Sequence, residues 1–416
     1  MARLIAASGV GTETMRTFNM QEKQFMQEHQ HEEAAVLMLQ AKRYPHLPLQ
    51  ELVQQIQARQ KAAQKLPTWA QHPEVVFPVA LSVEQSSSEA TASFKASLVS
   101  GELLVDLTGG FGVDSFYFSR RFAEVIHIEQ NPELQEIAQY NFGLLQAHNI
   151  QSTATTAEDF LENLEGKADV IYIDPARRGG GNEKLHLLQD CTPDVLHLLP
   201  LLFTKAKAVL LKTSPMLDID LALEQLQHVA KVWVVAVQNE VKEVLYLLQP
   251  DAPQAAEATR TAVNLLSGGT TQQLSFSKAD EEAAHVSFSD PHKYIYEPNA
   301  AILKAGAYRY LGQHLHLQKL HPNSHLYTSA MLVPAFPGRS FECIAVSRYN
   351  KKELLPHLPG RQANITVRNF PDSVAEIRRK TGLKEGGHTY LFFTTDMHQK
   401  PVVLICRKAS TDGSSR

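Results

Sequence analysis

Apolar residues in the middle of this chain come in short runs, each closed by a polar or glycine-rich stretch. The runs at 103–106, 124–129, 150–155, 169–173, 206–212 and 231–237 have strand length and bounding, so they predict strands. Between them, helical patterns fall at 113–122, 132–147, 157–164, 185–202 and 218–228. Strand and helix in alternation imply an α/β fold, a mostly parallel sheet with helices on both faces. Segments 233–238 and 240–248, joined at Asn239, predict a final strand pair with an antiparallel edge.

The pattern changes at both ends. Residues 20–63 are rich in Gln, Glu, Ala and Leu with few breakers, and predict helices punctuated by Pro45 and Pro48. Ala35, Leu37 and Met38, then Leu49, Leu52, Val53 and Ile56, share helical apolar faces. Residues 1–19 read as a leader, with Met15 or Met20 as alternative starts. The stretch 55–69, with Arg59, Lys61, Lys65 and Trp69, suits either a phosphate backbone or a plain helix with a packed tryptophan. A serine cluster at 86–88 offers Ser86 or Ser87 as cap of the next helix. It reads as a lid over the ligand or as a simple connection.

After Pro250 comes a linker. Strand-like segments follow at 262–266 and 273–276, then a strand at 293 running into a helix that continues to Leu311. The last part alternates strand 342–346, helix 351–357, strand 364–368, helix 373–381 and strands 389–394 and 402–406, which suits a small α+β sandwich.

Composition narrows the class. A chain of 416 residues with 44% hydrophobic and 20% charged residues has ample core material for several domains. No apolar run reaches the roughly 18 residues of a membrane span, and no secretory signal is evident. The 3 cysteines (191, 343 and 406) lie far apart, which suits a reducing cytoplasm rather than a zinc finger. The histidines are scattered, so no metal is expected. Net charge is −4, yet residues 339–416 carry 14 Lys+Arg against 7 Asp+Glu. That asymmetry points to a polyanion at the C-terminal end, or to a solvated basic face.

The chemistry concentrates at strand ends. The first strand closes on Asp106, followed by Leu107-Thr108-Gly109-Gly110-Phe111-Gly112 and a helix. This strand, glycine loop, helix unit places a ligand at the strand's carboxyl end, with the glycines letting backbone approach it. The next strand closes on Glu129, able to accept both hydroxyls of a ribose. A nicotinamide cofactor and S-adenosylmethionine both fit. Ser115, where a third glycine would stand, and Asp106, which would repel a pyrophosphate, favour the sulfonium cofactor. A further strand ends in Asp174-Pro175-Ala176-Arg177-Arg178, followed by glycines at 179–181. In an open sheet this strand would lie beside the first.

Together these motifs resemble class I S-adenosylmethionine-dependent methyltransferases, and more narrowly the bacterial group with a THUMP-like C-terminal domain. Lys212-Thr213-Ser214-Pro215 and the 240–243 stretch are similar to that group as well. The resemblance implies an N-terminal helical region (1–82), a Rossmann-like methyltransferase domain (83–250), a ferredoxin-like α+β module (251–338) and a THUMP-like domain (339–416). It implies S-adenosylmethionine as cofactor, RNA as substrate and partner, and no membrane. Cofactor contacts are expected from Asp106, Thr108, Gly109, Gly110, Gly112, Glu129, Thr156, Ala157 and Glu158; the aspartate common at the adenine position is replaced by Thr156. Asp174, Pro175, Arg177 and Lys212 are expected at the reacting centre. Ala176 and Arg177 stand where amine-methylating relatives carry proline and an aromatic ring, so a stacking platform is missing. Arg177 and Arg178 could instead stack or clamp a phosphate. No cysteine occurs at 212–215, and Cys191 falls in a helix pattern, which argues against cysteine-dependent C5 methylation. A small-molecule methyltransferase and a non-enzymatic RNA-binding protein are the rival readings.

Overall fold

The computed structural model describes residues 17–177, 188–252 and 257–409. Packing divides the chain into two units, residues 1–230 with 244–255, and residues 231–243 with 256–416.

In the first unit the apolar runs become strands β1 (Gly101–Asp106), β2 (Phe122–Glu129), β3 (Ile150–Ala154) and β4 (Ala168–Ile173). Two-residue strands β5 (Ala176–Arg177) and β6 (Cys191–Thr192) pair with each other, and β7 (Ala206–Thr213) follows. Strand β8 (Val229–Val237), which runs into the second unit, turns through Gln238 and Asn239, both at positive φ, into β9 (Glu240–Leu248), which returns to the first. That is the predicted Asn239 turn. Within this unit the order is β9-β7-β4-β1-β2-β3, parallel throughout except for the antiparallel β7–β9 pair. The chain moves outward from β1 to β3, then returns to β1's other flank as β4. A crevice at the carboxyl ends of β1 and β4 is the consequence.

Helices α1 (Met20–Glu28), α2 (Ala34–Leu39), α3 (Leu49–Lys65), α4 (Pro67–Gln71), α5 (Ala80–Gln85) and α6 (Glu89–Leu98) precede the sheet. Leu49, Leu52, Val53 and Ile56 bury together with Phe25, Met26 and Leu37, as their spacing requires. Residues 1–16, including Met15, lie outside the described residues. Asn19 and Glu22 form a reciprocal cap on α1. The cap of α6 is Ser88, not Ser86 or Ser87, because Ser88 shares a capping box with Thr91. The phosphate reading of 55–69 also fails. Arg59 donates to the carbonyls of Pro73 and Val75, Lys65 to that of Val83, Lys61 pairs with Glu84, and Trp69 is buried.

Within the sheet region lie α7 (Val113–Phe118), α8 (Pro132–Leu144), α9 (Ala157–Asn163), α10 (Val195–Lys205) and α11 (Ile219–Leu226). Helix α7 is shorter than predicted because Phe122 already pairs with Gly101 as the start of β2. The helix predicted at 185–202 starts only at Val195, capped by Asp194. Residues 185–187 are outside the described set, and Cys191 sits in β6 opposite Arg177 rather than in a helix.

In the second unit β8 pairs in parallel with β10 (Thr259–Leu265), which pairs antiparallel with β11 (Thr271–Phe276). Helix α12 (Lys278–Ala283) leads to a second sheet built from β12 (Tyr294–Pro298), β13 (Gln318–Lys319), β14 (Tyr327–Ser329), β15 (Gly338–Ser347), β16 (Asn364–Arg368), β17 (Thr389–Thr395) and β18 (Pro401–Lys408). Its order is β13-β14-β12-β15-β18-β17-β16. The single helix predicted after β12 is two, α13 (Ala300–Ala305) and α14 (Arg309–His314), because Gly306 at φ 87° ends the first in a left-handed cap. Helices α15 (Lys351–Leu354) and α16 (Val374–Thr381) bring Leu354 and Ile377 onto one sheet face against Leu391, Phe393, Val403 and Ile405. The other face buries Phe341, Phe392, Leu404 and Cys406 with Ile295 and Leu326. No helix among the described residues is long and apolar enough to cross a membrane.

Candidate active site

Two loops 66 positions apart in sequence meet at the crevice: the backbone N–H of Asp174 donates to Thr108 Oγ1 at 2.7 Å. One residue back in the glycine loop, the Leu107 N–H donates to the Tyr172 carbonyl at 3.0 Å. The loops that follow β1 and β4 therefore open on one edge of one sheet. Lys212, near the end of β7, forms an ion pair with Asp174 Oδ2. Its side chain is 13% exposed against 33% for Asp174, so the cation is the better sheltered partner. Pro175 is half-buried. Arg177 follows in β5, and Arg178 lies outside the described residues.

Asp106 does not present its carboxylate at the surface. It is fully buried, accepting from the Thr108 N–H at 3.1 Å and from Ser115 Oγ at 2.6 Å. Burial pushes its pKa up to about 7, against those two hydrogen bonds, with Asp114 and Asp174 pushing the same way. Its observed task is to hold the glycine loop to the first turn of α7.

The three glycines divide by cause. A Cβ on Gly109 would lie 2.2 Å from the His127 ring, and one on Gly112 would lie 2.4 Å from Phe142. Those positions are glycine because the protein itself fills the space. Gly110 differs: at φ 54°, an added Cβ would meet only the Thr108 carbonyl, at 3.9 Å. The open cradle is therefore at Gly110. Its N–H donates to Glu129 Oε2 at 2.9 Å, while Asn131 N–H donates to Oε1 at 2.8 Å. Glu129 thus stands at the end of β2 with both oxygens oriented and half-exposed. An open backbone stretch beside a fixed carboxylate fits the aminoacyl chain and ribose of S-adenosylmethionine. Thr156 caps α9, accepting from the Asp159 N–H at 3.1 Å and donating to the Asp159 carboxylate at 2.7 Å. Ala157 is buried and Glu158 exposed.

Sequence reasoning missed the layer beneath. The Asp114 carboxylate accepts from Ser87 Oγ at 2.7 Å and from Tyr172 OH at 2.9 Å, and pairs with Lys95 at 3.1 Å. Lys95 also donates to Ser87 Oγ at 2.8 Å. Lys95 and then Lys212 draw the Asp114 pKa below its ordinary value, overriding burial. The serine segment is therefore pinned under the site rather than free above it. Asp114 lies in a helix whose every residue from Val113 to Phe118 is buried, which an acid near a helix start does not announce in sequence. His127 is the second omission. Burial lowers its pKa to about 4, and the neutral ring lies between Ser152 Oγ at 2.9 Å and the Gly110 carbonyl at 3.3 Å.

Comparisons with known proteins bear on the fold and the class. Residues 294–337 match a ferredoxin-like domain family and residues 338–408 a THUMP domain-like family. A solved structure of a candidate methyltransferase from Porphyromonas gingivalis W83 is 32% identical. It covers 95% of this chain and 100% of that one, with a TM-score of 0.84. An uncharacterized S-adenosylmethionine-dependent methyltransferase of Mycobacterium tuberculosis is 25% identical over 303 residues, 73% of this chain and 80% of that protein. An uncharacterized RNA methyltransferase of Thermotoga maritima is 31% identical over 97 residues, 23% of this chain and 22% of that protein. The fold and cradle define the class I methyltransferases. Within that class, the chain belongs to the family of S-adenosylmethionine-dependent enzymes that end in a ferredoxin-like and a THUMP-like domain.

Proposed function

We propose that this methyltransferase acts on a base in RNA, of tRNA or rRNA, by in-line displacement without a cysteine nucleophile. Bound S-adenosylmethionine supplies an activated methyl group on a sulfonium, so the protein's work is positioning and charge placement. Gly110, flanked by Thr108, Gly109 and Gly112, carries the backbone past the aminoacyl end, with Asp106 holding that turn from below. Glu129 receives the ribose hydroxyls, and Thr156, Ala157 and Glu158 meet the adenine. Asp174 orients the hydrogens of the accepting group, and Lys212 balances its charge. Pro175 stiffens the turn after it, and Arg177 with Arg178 clamps a neighbouring phosphate.

The observation that carries the reaction is the contact of the Asp174 N–H with Thr108, which sets the acceptor-side loop against the cofactor-side loop. RNA is supported by the THUMP-like segment and by relatives called RNA methyltransferases in Thermotoga maritima and Synechocystis, each similar over about a quarter of this chain. The excess of basic residues at 339–416 supports it too. The test is tritiated methyl transfer to total RNA from cells lacking the protein. Label in RNA that the Asp174→Ala enzyme cannot incorporate is the expected result. Label confined to the small-molecule fraction would replace RNA with a metabolite.

A further inference from the structure

Strand β15 lies between β12 and β18, and its backbone groups alternate between those neighbours. The Ser340 carbonyl accepts from Ala409 N–H at 3.0 Å on the β18 side, whereas Cys343 N–H reaches the Lys293 carbonyl at 2.8 Å on the β12 side. Cys343 is nevertheless the register partner of Cys406 on β18. The two cysteines therefore form a pair that exchanges no backbone hydrogen bond. In such antiparallel pairs the Cα atoms stand about 4.5 Å apart and side chains approach most closely. A disulfide spans Cα separations of about 4.4–6.8 Å.

Both side chains lie on the same face, packed in the cluster with Phe341 and Leu404. The register then slips by one residue, Ala345 standing opposite Ile405, and Ile344 is left outside, 57% exposed. Cys406 is buried and Cys343 half-exposed, so one sulfur is sheltered and its partner is open to a small reagent. The hydrogen bond between the thiols lowers the Cys343 pKa and raises that of Cys406, which marks Cys343 as the first to react.

We propose that Cys343 and Cys406 form an oxidation site, at which a hydroperoxide converts two thiols into a cross-strand disulfide. The Cys343 thiolate attacks the peroxide oxygen, giving a sulfenic acid and releasing one alcohol or water. The Cys406 sulfur then attacks that of Cys343 and a water leaves. Two thiols lose two electrons and two protons, and the peroxide O–O bond is reduced. The new bond ties the first strand of the THUMP-like segment to its last.

The experiment treats the fully reduced, full-length protein with hydrogen peroxide, quenches with an alkylating agent, and maps peptides by mass spectrometry without reduction. A Cys191→Ser chain is run beside it to leave only this pair. The expected result is a Cys343–Cys406 linked peptide, formed at least about tenfold faster in the native protein than in urea, where no fold holds the thiols together. In the three-cysteine chain, links to Cys191 should appear only in urea. Alkylatable Cys406 beside an oxidised but unlinked Cys343, or equal rates in native and unfolded chains, would overturn the proposal.

Discussion

The two sides of the crevice are built differently. On the glycine-loop side, Asp106, Ser115 and His127 are buried, Ser115 bonding Asp106 and His127 reaching the Gly110 carbonyl, and Gly109 and Gly112 are filled against by His127 and Phe142. On the Asp-Pro side, the Asp174 side chain is a third exposed, its carboxylate paired with Lys212 and its backbone N–H tied to Thr108. The first side is set before a ligand arrives; the second keeps room to adjust to an acceptor. Binding geometry tolerates no slack in a cofactor cradle, whereas a methyl acceptor must be admitted.

Breaking the rigid side should cost most. Gly109→Ala drives a methyl into the His127 ring, so we expect loss of soluble folded protein, whereas Gly110→Ala meets open space and costs only the strain of its positive φ, about 1 kcal/mol. Thermal melts of the two variants measure that gap. Next comes Lys95→Met, which strands the buried Asp114 carboxylate at a cost of about 3–5 kcal/mol. A Lys95→Met/Asp114→Leu double variant should regain much of it; equal melts for single and double variants would show that the pair is not coupled.

Asp174→Asn sharpens the contrast from the open side. Stability and S-adenosylmethionine affinity should hold within about twofold while kcat falls by roughly 10²–10⁴. A matching loss of cofactor affinity would move Asp174 to the binding side. A smaller effect follows from pH. The raised folded pKa of Asp106, about 7, means its stabilising contribution is complete below the unfolded value of 3.8 and is lost as pH rises through 7. His127 has the opposite sign: its lowered value, about 4, removes stability as pH falls from 6.5. Relative to wild type, Asp106→Asn should therefore gain melting temperature as pH rises from 3.8 to about 7, with little further change above about pH 8. Smallest of all, Cys191→Ser should keep activity within about twofold under the proposed transfer, which uses no nucleophilic thiol.

What the sequence made legible was whatever a short window encodes. Runs such as 169–173 and the Asn239 turn identify themselves by period and turn chemistry, and Gly110 and Glu129 by their place after strands. The Asp174–Lys212 pair was foreseeable because adjacent parallel strands align their carboxyl ends. Lys95 and Asp114 were not, since an isolated lysine and an acid near a helix start ordinarily read as solvated residues. Only the packing of α6 against α7 makes them partners. Cys191 was misplaced for a related reason: leucine-rich flanks imitate a helix, and a two-residue pairing with Arg177 leaves no periodic trace.

The hairpin through Asn239 has a practical consequence for anyone dissecting the molecule. A chain cut after Pro250, where composition first changes, would keep β8 and discard β10, its parallel neighbour from Lys231–Thr259 to Val237–Leu265. Val232, Val234, Val235 and Ala236, all buried in the intact chain, would then line an uncovered edge. Such an edge recruits other strands. A catalytic half truncated there should come out of cells as aggregate.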